Sequence, residues 1–171
     1  VESAEEAARV VDLVQSVLGR AWTDPGESQN GDPLAEEDII VVTPYNAQLA
    51  TVRSALDDAG LSRVRVGTVD KFQGQEAAVA IVTLAASSPD DAPRGMSFLI
   101  MKNRLNVAIS RAKWAAYLVH SPALTEYLPI TPAGVAELSA FITLLESGEE
   151  QVPELADAAS ASTDALALSR G

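Results

Sequence analysis

Residues 38–43 read DIIVVT, a β-branched apolar run with no polar residue interleaved after its first position. A strand with one wet face alternates apolar and polar residues. One that stays apolar throughout is covered on both faces, as in parallel sheets. A second run, AAVAIVTLA over 77–85, reads the same way, and further strands are expected over 64–69 and 115–120. Helical signals lie between them. Ser3-Ala-Glu-Glu6 has capping-box spacing, and Ala7, Val10, Val11, Val14, Val17 and Leu18 follow at helical intervals as far as Gly19, predicting a helix over 4–18. Leu49, Val52 and Leu56 mark a second helix after Pro44-Tyr45-Asn46, closed by Gly60. Short buried strands alternating with helices imply an α/β fold, its mostly parallel sheet carrying helices on both faces. In such sheets functional residues gather at the carboxyl ends of strands.

The remaining segments fit around that frame. Residues 21–37 contain two prolines and two glycines and read as a long surface loop, and SSPDDAPRG over 87–95 reads as another. Helices are predicted over 102–112, 122–128 and 133–146, the last with Val135, Leu138, Phe141, Ile142 and Leu145 on one face. From Gly148 onward the chain is acidic and rich in small residues, predicting a disordered or weakly helical tail. The expected organisation is therefore one domain over 1–147 and a tail over 148–171.

Composition narrows the chemistry. With no cysteine and a single histidine, His120, the chain offers no disulfide, zinc-thiolate or histidine-built metal site. His120 sits in an apolar strand, where a structural role is expected. No apolar run approaches the ~20 residues that span a bilayer, and no basic-plus-apolar leader opens the chain, so a cytoplasmic protein without membrane contact is expected. A start at Val-Glu-Ser suggests a piece of a longer protein. The net charge of −12 argues against a uniformly basic nucleic-acid coat, but the charge is unevenly spread. Ten of the 24 acids precede Ile39, whereas none lies between Asp91 and Glu126, the stretch that holds Arg94, Lys102, Arg104, Arg111 and Lys113.

Three stretches carry groups suited to a nucleotide: TPYNAQ (43–48), DKFQGQE (70–76) and RLNVAISRA (104–112). They supply an aromatic that can stack, amides and a carboxylate that can bond ribose or base, and arginines that can reach phosphate. Their order and spacing resemble motifs IV, V and VI of superfamily 1 helicases. Within these they are most similar to the group of the nonsense-mediated-decay helicases and the nuclease-helicases of replication. APRGMSFL (92–99) ahead of the arginine helix also resembles bacterial proteins in which a RecB-like nuclease precedes such a helicase. The resemblance covers about residues 38–125.

The resemblance implies a three-layer RecA-like domain of P-loop NTPase type, the second of two that clamp ATP and Mg2+ between them. The first would carry the phosphate loop and the magnesium carboxylates. No Gly-Lys pair occurs in this chain, so ATP would be held mainly by that other domain, and the chain alone is expected to be inactive. By the same resemblance Arg111 is the catalytic cation reaching the γ-phosphate, Glu76 accepts from the ribose hydroxyls, and Gly74 lets the backbone approach. Tyr45 lies against adenine, with packing on the following helix as its alternative. Gln48 faces ATP, or else is an ordinary exposed glutamine. Arg104 is a second cation bridging the motifs. Thr68, Asp70, Lys71 and Gln73 lie toward a single strand of nucleic acid, DNA in preference to RNA, while Phe72 belongs to the core. Where some relatives carry another arginine this chain has Leu49, for which Arg53, a turn later, is a substitute. Lys113 reads equally as phosphate-facing or as a solvated helix end. The partners implied are nucleic acid, the first RecA-like domain and a RecB-like nuclease domain. A RecA-like fold kept as a scaffold or interaction module is the rival reading.

Overall fold

The structure, a computed structural model, describes residues 2–24, 31–85, 102–126, 129–151 and 164–169, with backbone alone for 102–104, 149–151 and 164–169. Helix α1 spans Ala4–Val17 and is capped by Ser3, whose Oγ accepts from the Glu6 N–H at 3.2 Å. Strands β1 (Ala21–Trp22) and β2 (Asp32–Pro33) form a minimal antiparallel pair inside the segment expected to be all loop. Strand β3 (Ile39–Val42), helix α2 (Asn46–Asp58), strand β4 (Arg65–Gly67), a 3-10 turn over Val69–Phe72 and strand β5 (Ala77–Thr83) follow. Then come helix α3 (Lys102–Ile109), strand β6 (Ala112–His120) and helix α4 (Pro132–Glu146). The chain ends in strands β7 (Glu149–Gln151) and β8 (Asp164–Ser169).

The main sheet runs β4-β3-β5-β6-β8-β7, with the first four strands parallel and the last two antiparallel. All residues of β3 and β5 are buried, as their unbroken apolar runs require. The two faces separate cleanly. Ile39, Val41, Val79, Ile81 and Tyr117 pack under α1 and α2, whereas Ile40, Val42, Ala80, Val82 and Leu118 pack under α3 and α4. This is the expected three-layer arrangement. No helix among the described residues is long and apolar enough to cross a membrane.

Several boundaries differ from expectation. The helix expected over 102–112 stops at Ile109, because Ala112 is taken into β6 by pairing with Ala77 of β5. Residues 122–124 form only a 3-10 turn, and 127–128 lie outside the described residues. Val135 is 52% exposed, so the buried face of α4 rests on Leu138 and Phe141, with Gly134 packed against Pro129 at its start. The tail expected to lack structure contributes β7 and β8, since β6 would otherwise leave its outer row of backbone groups open and β8 pairs with it from Ala115 to His120. His120 is buried edge-on against Phe141, in a structural setting. The loop 87–95 and the stretch 92–99 lie outside the described residues.

Candidate functional site

Glu76 and Arg111 immediately precede the paired residues Ala77 and Ala112. The Ala77 N–H donates to the Arg111 carbonyl at 3.0 Å, which fixes the two neighbours on one edge of the sheet. That edge is the one where β5 and β6 begin. It is opposite to the carboxyl edge, where the doubly wound pattern led us to expect the functional groups. Arg111 is not on the helix. It follows the end of α3 in the turn that feeds β6, half-buried, and its Nε lacks a hydrogen-bond partner among the described residues. No carboxylate among the described residues pairs with it. Glu76 has a side chain 61% exposed and lies 3.8 Å from Lys113 Nζ, which is held more closely by Asp24 at 2.5 Å. Lys113 is therefore a bridge inside β6, neither a helix end nor an uncommitted cation. The edge presents an exposed carboxylate beside a guanidinium that no acid among the described residues neutralises.

Gly74, two residues before Glu76, has φ +79, a conformation that side-chained residues avoid, and the space where a Cβ would sit is open. It gives the loop its turn and leaves the backbone accessible. Thr68, Asp70 and Gln73 surround the 3-10 turn at the far end of β4, with Asp70 and Gln73 exposed. Lys71 differs from expectation. Its Nζ donates to the Val66 carbonyl at 2.7 Å, and its stem lies over Gly67, where a Cβ would come within 2.4 Å of Lys71 Cδ and 3.0 Å of Phe72 Cε2. The glycine is there to let the lysine fold back. Phe72 is buried in the core, as expected. Arg104 lies on α3, and its side chain is outside the described residues.

The carboxyl edge carries a different cluster. Tyr45 stands at the N-cap of α2 and packs against the α3-side core. Gln48 is fully buried, in place of the nucleotide-facing position that the resemblance implies. Its Oε1 accepts from the Ser3 N–H at 2.7 Å, and its Nε2 donates to the Ser3 carbonyl and to Thr83 Oγ1, each at 3.2 Å. Gln48 thus occupies the place that the third helical residue fills in a reciprocal capping box. Glu6 is released from that duty and turns into the sheet, where its Oε2 accepts from Thr83 Oγ1 and from the Ala85 N–H at 2.9 Å. Burial pushes its carboxyl up to about 7, against the pull of the donors from Thr83, Ala85 and Leu84. Sequence reasoning saw Glu6 only as a cap residue; an acid on the apolar face of a helix was the available signal. Arg53 does not replace the arginine absent at Leu49. Its guanidinium is engaged by the Val64 and Leu61 carbonyls and by Asp57, and Leu49 itself packs on the α1-side core.

Comparison with known proteins identifies a helicase-type domain of superfamily 1, in the group of the nonsense-mediated-decay and replication nuclease-helicases. Residues 1–122 match the AAA domain family AAA_12, and the chain belongs to that family. The "DNA polymerase alpha-associated DNA helicase A" of Schizosaccharomyces pombe is 48% identical over 80 residues, which is 47% of this chain and 12% of that protein. The "DNA replication ATP-dependent helicase/nuclease DNA2" of Bos taurus is 34% identical over 126 residues, 72% of this chain and 10% of that protein. The "RNA helicase Mov10l1" of Mus musculus is 34% identical over 92 residues, 52% of this chain and 8% of that protein. The chain thus spans roughly a tenth of the length of these relatives.

Proposed function

We propose that residues 1–147 act as the second motor lobe of an ATP-dependent helicase or translocase. The observation that carries this reading is the placement of Glu76 and Arg111 side by side on one edge, the first exposed and the second without a counter-ion among the described residues. Such an edge suits a ribose and a phosphate presented by a facing lobe. Glu76 would accept from the ribose hydroxyls. Arg111 would offer a planar, permanent cation to the charge that spreads over phosphoryl oxygens during transfer, a contribution worth roughly 10³–10⁵ in rate where it has been measured. Gly74 keeps the approach clear of side chains. Arg104 would supply a further cation from α3, whereas Tyr45, at the opposite end of the sheet, stands too far along the strands to meet the adenine of a nucleotide whose ribose Glu76 holds. Mg2+ and the greater part of ATP would be held by the other lobe. Among the described residues no group of acids and histidine is placed to hold a metal.

Thr68, Asp70 and Gln73 would line part of a groove for single-stranded nucleic acid, holding backbone phosphates without reading bases. DNA is favoured over RNA because the 48% identical relative is named a DNA helicase. Alternation between closed and open cleft, biased by contacts at Arg111, would move the strand. Gln48 and Lys71 act here through position: the first clamps the start of α2, the second closes the end of β4. A facing first RecA-like domain and a RecB-like nuclease domain are the implied partners, and the cytoplasm the implied compartment.

The deciding experiment is Arg111→Ala in the complete helicase, assayed for nucleic-acid-stimulated ATP turnover with folding followed by circular dichroism. Loss of turnover in a folded variant supports the motor. Full turnover would leave the scaffold reading, which Leu49 and the engaged Arg53 favour. The 171-residue chain alone is expected to show no magnesium-dependent hydrolysis.

A further inference from the structure

The cluster at the carboxyl edge is not explained by anything the motor reading asks of it. Glu6 is 1% exposed, and its bonds from Thr83 and Ala85 fall on Oε2; among the described residues Oε1 is buried without a partner. One of those bonds comes from the N–H of Ala85, a buried alanine at φ +61 and the only non-glycine residue with positive φ among those described. A left-handed alanine is strained, and such a conformation persists only where its surroundings hold it. Here the holder is a carboxyl on another element, 79 residues away in sequence. The second bond, to Thr83, continues through Gln48 to both backbone groups of Ser3, so α1, α2 and the end of β5 meet in one chain of hydrogen bonds.

We infer that Glu6 is a proton-controlled clasp, which in its protonated form holds the exit of β5 and the first turn of α2 together and in its ionised form loosens both. The asymmetry of its two oxygens is the physical basis. Protonated at Oε1, the group keeps Oε2 as acceptor for Thr83 and Ala85 and buries an unpaired O–H, a smaller cost than a buried charge. Ionised, it buries a negative charge with one oxygen unsatisfied, a costly state in an apolar setting. Among the described residues, few groups face it. On α1, Glu5 adds negative charge that disfavours ionisation, and Arg9 lies one turn along, itself buried. From α2 and β5, among the described residues, come the neutral Gln48 and Thr83. From β6 comes Tyr117, whose hydroxyl burial holds in its neutral form, whereas His120 points to the opposite face against Phe141. The raised carboxyl range of Glu6 places the transition near neutrality. This inference does not depend on the nucleotide reading of the opposite edge.

The test is a pH titration of the 171-residue chain by NMR, following the Glu6 carboxyl carbon and the amides of Ala85 and Ser3. The three signals are expected to move together with one midpoint near neutral pH. Thr83→Val, which deletes a bond that the clasp makes while protonated and loosens when ionised, is expected to move that midpoint downward. Glu6→Gln is expected to leave the Ala85 amide flat across the range. A Glu6 midpoint in the ordinary carboxylate range would overturn the inference. So would an Ala85 amide that still titrates in Glu6→Gln, or a midpoint that Thr83→Val leaves unmoved or raises.

Discussion

The backbone of Arg111 accepts a hydrogen bond from Ala77, so that Glu76 and Arg111 leave adjacent strands at the same level of the sheet. A register shift of one residue would send one of the two side chains to the opposite face. The juxtaposition is therefore held by a core ladder, not by loop chemistry, and it survives substitution of either side chain.

Arg111→Ala should accordingly fold normally, since only the carbonyl of Arg111 serves the ladder. In the complete helicase it should lower ATP turnover by about 10³ or more. Arg111→Lys should recover little of this, because a point charge lacks the planar fork. Turnover measured alongside thermal melting checks both statements.

Glu76→Gln should change stability by less than about 0.5 kcal/mol, its pairing with Lys113 being long and exposed. Its effect should fall on nucleotide choice. Loss of a charge-assisted bond to ribose, about 1.5 kcal/mol, corresponds to roughly a tenfold loss of preference for ATP over 2′-deoxy-ATP. KM values for the two nucleotides give the answer directly.

Gly67→Ala places a Cβ within 2.4 Å of Lys71 Cδ and 3.0 Å of Phe72 Cε2. The lysine must swing out and forfeit its bond to Val66, and the phenylalanine must shift in a packed core. A cost of about 1–3 kcal/mol is expected by chemical denaturation. Gly74→Ala meets no neighbour but is strained at φ +79, so a smaller loss, about 1 kcal/mol, should follow.

Stability should fall as pH rises from about 4.5 to about 7. The folded chain holds the Glu6 proton up to about 7, whereas the unfolded chain releases it near the ordinary value of 4.5. Between these values the native state binds more protons, so raising pH favours unfolding, by about 3 kcal/mol in all if Glu6 acts alone. Below this window and above it the group contributes no slope. Glu6→Gln should flatten the profile between pH 5 and 7, measured as urea midpoints.

The layers were legible because the signals were local. Ser3 announces α1, and the unbroken apolar runs announce β3 and β5. The motif residues Glu76 and Arg111 were also legible as types, but not the edge on which they meet, which depends on pairing between strands 35 residues apart. Arg111 read as helical because Ala and Arg favour helices, yet the Ala77–Ala112 rung outweighs that preference. Gln48 and Glu6 were the least readable. A polar residue in a first helical turn is normally solvated, and only the approach of Ser3 and Thr83 from distant positions buries these two.

Both outermost strands of the six-stranded sheet, β4 and β7, are three residues long. A foreign segment seeking to extend the sheet would find too few rungs at either end to offset the entropy of lining up, and at β4 it would meet Arg65 as well. The brevity of these margins thus guards a highly apolar interior against strand-by-strand self-association.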